Sequence, residues 1–188
     1  YMNKHRCPWA KSLLDIEYHD NEWGRETHDD KMLFEYLVLE GMQAGLSWSL
    51  ILKKRENFKR AFNNFDYNIC ADYTDEYLES LREDEGIIRN KLKIYSVRKN
   101  ALAFIKVQKE FGSFDKYIWS FTDYKKINNK LTSYKDAPSE SELSIKISKD
   151  LKKRGFSFVG GTIIYSYLQA IGMINDHEKG CFCYEECC

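Results

Sequence analysis

Residues able to do chemistry gather at two places in this chain. The first is Glu40, inside "LVLEGMQAGLSW" (Leu37 to Trp48), where an apolar helix runs into a glycine-punctuated turn. At about 100° per residue, Leu33, Leu37 and Ala44 share one side of that helix, and Glu40 falls on the same side. An ionised carboxylate on such a face is costly unless something compensates it. Three explanations stand open: a partner in the core, a position at the stripe's edge that reaches water, or a role in binding a cationic or N–H-bearing ligand. Trp9, Tyr18, Trp23, Tyr36 and Trp48 all lie in the same early stretch of chain. Core packing accounts for rings of this size. Planar rings beside a carboxylate are also what a pocket for a flat, positively charged heterocycle requires: stacking and cation–π attraction hold the faces, and the carboxylate reads the edge.

The second place is the cysteine and histidine set. Cys7 and Cys70 stand alone, whereas Cys181, Cys183, Cys187 and Cys188 crowd the end of the chain. A secreted disulfide framework would be spread more evenly; terminal thiols beside histidine in a reducing cytosol point to metal. Cys7 with His19 at the front and His177 with Cys181 at the back complete a Cys₂His₂ tetrahedral zinc shell. Such a site would tie the chain ends together and, with no open coordination position, be structural. On spacing alone, Cys183, Cys187 or Cys188 can replace either cysteine, and His5 or His28 either histidine. A frayed tail explains the terminal thiols equally well.

The elements that must position these groups read as helices. With 188 residues, 43% hydrophobic and 15% aromatic, the chain can bury a real core as one domain. Asp29 or Asp30 caps a helix carrying Met32, Leu33, Phe34, Leu37 and Val38; Ser47 starts the next. Thr74 caps "TDEYLESLRE", and a long helix runs from about Arg89 to Phe111, ended by Gly112. Ser139 and Glu142 form a capping-box pair for a helix closing at Gly155, and a last helix covers about Thr162 to Ile171. "FTDYKKINNKLTSYKDAPS" (121–139) is the most polar connection and reads as a surface loop. Neither an internal repeat nor a strand ladder is visible, so the expected class is all-α.

Net charge is zero, which removes any overall field for a polyanion but leaves local clusters at Lys53-Lys54-Arg55, Arg89 through Lys99, and Lys152-Lys153-Arg154. Each reads equally as solvated helix surface. Between the Thr74 and Arg89 helices, "EDEGIIRNKLKI" (83–94) is a candidate helix-hairpin-helix, whose second helix can aim backbone N–H groups at a phosphate, reinforced by Arg89, Lys91 and Lys93. Most short helical hairpins containing glycine merely turn the chain. No apolar run reaches the length of a membrane helix, and Tyr1 to Arg6 lacks the apolar core of a secretory signal, so a cytoplasmic protein is expected. Met2 reads as the native start, with Tyr1 an added residue.

Taken in order, "YHDNEWG" (18–24), "LEGMQAGLSW" (39–48), "LKKREN" (52–57), "GIIRNKLKI" (86–94), "LKKRGFSFVG" (151–160) and "NDHEKGC" (175–181) closely resemble the 3-methyladenine DNA glycosylase I family. That family is bacterial and belongs to the helix-hairpin-helix DNA glycosylase superfamily; the resemblance spans about residues 6 to 183. It implies a helix-hairpin-helix glycosylase architecture, a single domain over 1–188 with two packed helical lobes and a flexible tail at 184–188. It implies a monomeric base-excision enzyme that flips out and hydrolytically removes N3-methyladenine from alkylated double-stranded DNA, releasing free 3-methyladenine. By matching motifs, Glu40 is the carboxylate that reads the base and assists catalysis, Tyr18 its hydrogen-bonding neighbour, and Trp48, Trp9 and Trp23 the aromatic surroundings. Gln43, Gly45 and Leu46 would probe the gap in the duplex, and Gly86, Ile87, Ile88, Arg89 and Lys91 would hold the DNA backbone. Cys7, His19, His177 and Cys181 would be ligands of a structural Zn²⁺. The resemblance departs at Leu14 or Asp15, the nearest match to a position where the family often carries a tyrosine. Asp115 is not assigned the role of the aspartate that other superfamily members use to stabilise the sugar cation. Two rivals share these features: a non-catalytic damaged-DNA-binding module with structural zinc, separated by turnover, and a zinc-stapled helical interaction protein, separated by salt-dependent DNA binding.

Overall fold

The computed structural model describes residues 4–188; the expected start at Met2 lies outside them. Side-chain caps set the helix starts. Ser12 caps α1 (Leu13–Asn21), Asp29 caps α2 (Asp30–Gln43), and Ser47 caps α3 (Trp48–Ala61), each accepting from a backbone N–H in the first turn. Asp66 caps α4 (Tyr67–Ala71) and Thr74 caps α5 (Asp75–Leu81). α6 (Lys91–Phe111) begins at the Asn90 cap and stops at Gly112. α7 (Phe114–Ser120), α8 (Glu142–Lys153) and α9 (Gly161–Ala170) complete the helices among the described residues.

The expected Ser139–Glu142 box is displaced by two residues. The Ser141 hydroxyl accepts from Ser144 N at 3.1 Å, and Ser144 Oγ accepts from Ser141 N at 2.8 Å. Serine at the third helical position returns the bond that a glutamate would have made, and Glu142 becomes the first helical residue.

The all-α expectation needs one correction. β1 (Ile127–Asn128) lies within the expected 121–139 surface loop and pairs in parallel with β2 (Ile174–Asn175), Ile127 opposite Ile174 and Asn128 opposite Asn175. Two-residue strands carry no readable period, so nothing in the sequence marked them. The pairing holds the loop against the segment that leads to His177. Residues 184–188, expected as a flexible tail, carry a 3₁₀ turn at Glu185–Cys187 with Cys187 fully buried, and Glu186 accepts from Arg25 Nη2 at 2.6 Å.

α2 organises the core. Every residue from Leu33 to Met42 is buried, so beyond its first turn this helix has no solvent face. It packs on α3, α6, α7 and α9, and Tyr167 of α9 donates its hydroxyl to the Leu33 carbonyl at 2.8 Å. Phe34, Phe104 and Phe114 link α2, α6 and the start of α7, with ring centroids 5.2 Å and 4.3 Å apart. A helix submerged on all sides gives Glu40 no edge from which to reach bulk water.

Candidate active site and metal cluster

Glu40 opens instead on a cavity of about 220 Å³ lined by Trp9, Tyr18, Trp23, Glu40, Gln43, Trp48, Tyr134, Ser166 and Gln169. Its side chain has neither a hydrogen bond nor an ion-pair partner among the described residues, and burial pushes its pKa up to about 8. Three further buried polar atoms are unpartnered: Trp9 Nε1, Tyr18 Oη and Trp48 Nε1. All three belong to residues of the same cavity wall. Burial, then the Glu40 charge, drives the Tyr18 phenol well above its ordinary range. Tyr18 and Trp48 lie 5.2 Å apart, Trp9 and Trp23 5.0 Å. Orphaned polar groups are rare inside proteins because each forfeits its hydration. Four converging on one aromatic-walled space make it a site prepared for a flat ligand bearing both hydrogen-bond donors and acceptors.

Neighbouring networks hold these walls. Lys93 of α6 is buried and donates Nζ to the carbonyls of Met42 at 2.8 Å and Ala44 at 2.6 Å, clamping the end of α2 just after Glu40. A cation against the last carbonyls also suits the helix dipole. The turn beyond carries Gly45 at φ 78°, exposed, with Gln43 Nε2 donating to Leu46 O at 2.7 Å. Arg55 leaves the expected basic surface cluster altogether: it pairs with Glu35 at 2.8 Å and with both oxygens of Glu22 at 2.9 Å, and Tyr36 donates to Glu22 at 2.8 Å. Where the resemblance departs, Leu14 is exposed and Asp15 is buried, accepting from Ser49 Oγ at 2.9 and 3.0 Å.

The sequence reading missed Tyr134, Ser166 and Gln169. Ser166 and Gln169 sit three apart on an otherwise apolar helix, a legible pattern for polar groups facing a cavity. Tyr134 offered no such signal; its backbone N–H is held by Glu178 at 2.7 Å from the far end of the chain.

The ligating atoms of Cys7, His19, His177 and Cys181 all lie within 4.8 Å of one another, and all four residues are buried. Cys181 Sγ is 3.5 Å from His19 Nε2 and 3.5 Å from His177 Nδ1, and Cys7 Sγ is 3.8 Å from His177 Nδ1. Zinc bonds of about 2.3 Å to sulfur and 2.0 Å to nitrogen give tetrahedral S···N edges of about 3.5 Å. The remaining ring nitrogens are occupied: His19 Nδ1 contacts Asp20 at 2.8 Å and His177 Nε2 the Trp23 carbonyl at 2.9 Å, the outer-shell arrangement that orients metal-binding imidazoles. Backbone N–H groups of Glu178 and Cys183 donate to Cys7 and Cys181 sulfur at 3.4 Å each, as suits thiolates. The donor set therefore fits a tetrahedral metal. Gly24, at φ 82°, faces His177; a Cβ there would sit 2.9 Å from the imidazole. His5 instead contacts Glu178, and His28 contacts Asp115, so neither joins the cluster. Cys183, with His19 and Asp20, forms a second possible group, which shares His19 with the first.

The hairpin residues are divided by burial. Arg89 and Lys91 are exposed, Gly86 and Ile88 half-buried, while Ile87 is 3% exposed, leaving its side chain to the core. Gly86 is fixed through its carbonyl to Asn57 Nδ2 at 2.9 Å and its N–H to Asp84 at 2.8 Å.

A family model described as methyladenine glycosylase matches residues 9–184. DNA-3-methyladenine glycosylase 1 of Escherichia coli (strain K12) is 45% identical over 180 residues, covering 95% of this chain and 96% of that protein. A crystal structure of 3-methyladenine DNA glycosylase I aligns with a TM-score of 0.93 at 44% identity, over 96% of this chain and 100% of that one. Another, of a variant of 3-methyladenine DNA glycosylase I in complex with 3-methyladenine, aligns at 0.91 and 32% identity, over 93% and 94%.

Proposed function

The chain belongs to the methyladenine glycosylase family, and from that premise we propose how its cavity reads and excises a methylated base. It is an enzyme, a DNA glycosylase that flips N3-methyladenine out of alkylated DNA and hydrolyses the bond joining base to sugar. The observation that carries the reading is Glu40, a buried carboxylate with no partner among the described residues, in a cavity with three unpartnered buried donors. Methylation at N3 gives the purine a positive charge while it is attached to the sugar. Entry of that cation favours ionised Glu40 over the protonated form that burial otherwise favours, so each charge relieves the desolvation of the other. An uncharged adenine offers no such exchange. Trp9, Trp23 and Trp48 supply ring faces, and Tyr18 a hydroxyl at the edge.

Chemistry follows from the same charge. When the glycosidic bond breaks, its electron pair passes to the base, which leaves neutral and needs no proton. The sugar carbon takes up water, which releases a proton to solvent. The task of the chain's residues is to extrude, orient and hold, with Glu40 opposing the positive charge of the reacting nucleotide.

Around this centre, the turn at 82–90 between α5 and α6 serves as a DNA-gripping hairpin, using backbone N–H groups with Arg89 and Lys91 on duplex DNA. The exposed turn at Gly45, with Gln43 and Leu46, would enter the space left by the extruded nucleotide. Cys7, His19, His177 and Cys181 would hold a structural Zn²⁺, supported by their donor geometry; bound there, the ion supplies cross-linking and no reactive position. All cysteines of the chain are free, which suits a reducing cytoplasm, and the chain is read as one domain of two packed helical lobes acting as a monomer. Among the described residues no helix is long and apolar enough to cross a membrane.

Incubation with methylated DNA followed by chromatography of the liberated bases tests the reading. Free 3-methyladenine is expected from the wild type, with a loss of about a hundredfold or more in rate for Glu40→Gln. Binding of methylated DNA without base release would favour a damage-binding module instead.

A further inference from the structure

Gln169 lines the cavity from α9, while Glu40 lines it from α2. Its amide has one permitted orientation. Nε2 donates to Asp176 Oδ2 at 2.7 Å and reaches the Tyr134 hydroxyl at 3.5 Å. Asp176 is fully buried and already receives the Tyr165 hydroxyl on Oδ2 at 2.6 Å and Asn129 Nδ2 on Oδ1 at 2.7 Å. A carboxylate surrounded by donors has to be met by the nitrogen of Gln169, because turning the amide would set oxygen against oxygen. Gln169 Oε1 is thereby left without a partner among the described residues, yet it is not among the atoms sealed in the core. It is a fixed acceptor at the edge of a cavity whose tryptophans can only donate.

We infer that Gln169 determines the choice between 6-amino and 6-oxo purines, its Oε1 accepting from the exocyclic amine of 3-methyladenine and repelling the carbonyl oxygen of 3-methylguanine, with Asp176 as the positioning residue that prevents the amide from turning. The inference rests on reading the cavity as a purine pocket. An exocyclic amine carries two N–H groups, so Glu40 and Gln169 can each take one without competing. Discrimination comes from the mismatch as much as the match: a 6-oxo base would leave Oε1 unpaired and facing a second acceptor.

The test titrates wild type, Gln169→Leu and Gln169→Met with free 3-methyladenine and with 3-methylhypoxanthine, which carries oxygen at position 6, following tryptophan fluorescence. In parallel, the ratio of 3-methyladenine to 3-methylguanine released from methylated DNA is measured. The wild type is expected to favour the amino base by about tenfold or more, and both variants to bring the two bases within about threefold. Asp176→Asn, which allows the amide to rotate, should relax selectivity in the same direction with Gln169 intact, a shift that a role in folding alone would not produce. A Gln169 variant with wild-type circular dichroism and melting temperature that keeps the full preference overturns the inference. A wild type that bound neither base and released neither would remove the purine-pocket reading itself.

Discussion

At the scale of the single residue, Glu40 shows why a costly group persists. Folding the chain takes its carboxyl from an ordinary value of 4.5 to about 8, through burial alone. Below about pH 4.5 the group is protonated in both folded and unfolded chains, and its burial carries no penalty of ionisation. As pH rises from there towards 8, the unfolded chain gives up the proton while the folded one keeps it, so stability falls through that window and the loss levels off above it. Gln is neutral throughout and close in shape. Glu40→Gln is therefore expected to melt at nearly the wild-type temperature at pH 4.5 and clearly above it at pH 8. A constant offset across the range would mean that Glu40 has a charge partner in the folded protein. Stability gained on losing the acid, together with loss of base release, is the pattern of a group held for ligand rather than for packing.

Among the elements, what could be read ahead of the structure depended on how far each interaction reaches along the chain. The caps at Asp29, Ser47 and Thr74 were legible because each bonds its own first turn, within three residues. Glu40 and its aromatic neighbours were legible as an inconsistency, an acid within an apolar helix. Lys93 was not: in sequence it is one more cation of the hairpin cluster, and only the fold carries it to carbonyls 49 and 51 residues away. The same holds for Arg55, which local pattern assigned to a basic surface run and which the fold pairs with Glu22 and Glu35. Lys93 joins α6, which follows the proposed DNA-gripping turn, to the end of α2, which carries the residues expected to enter the duplex. Lys93→Met keeps an unbranched side chain one atom shorter but leaves two carbonyls without their donor, at a cost of about 1–3 kcal/mol. Because the clamp lies beyond Glu40, affinity for free 3-methyladenine should stay within about threefold of wild type, while excision from DNA falls by about tenfold or more. Equal losses in the two assays would show that Lys93 supports the cavity itself and not its alignment with DNA.

On the scale of the whole molecule, the proposed metal cluster and the cavity share walls. The Trp23 ring stacks on His19 at 6.0 Å and meets His177 edge-on at 4.6 Å, while Trp9 lies 5.4 Å from His19. Both tryptophans line the cavity, so the four metal-type ligands stand directly behind the surface that would hold the base. The cluster also joins the two ends of the fold, Cys7 and His19 from before and within α1, His177 and Cys181 from beyond β2. Closing so long a loop costs entropy, and a metal bound only where the fold brings its four ligands together offsets that cost, because its binding free energy is available to the folded state alone. Cys181→Ser removes one thiolate and leaves three buried donors facing an incomplete shell. Elemental analysis should find about one zinc per wild-type chain and substantially less in the variant, with a lower melting temperature. Since the cavity wall rests on the ligands, tryptophan emission and affinity for 3-methyladenine should change with zinc content, and a chelator acting on the wild type should reproduce both. Full zinc occupancy in Cys181→Ser would transfer the ligand role to Cys183, whose sulfur groups with His19 and Asp20. Loss of zinc with unaltered emission and affinity would instead separate the two sites and make the metal a fastening of the chain ends alone.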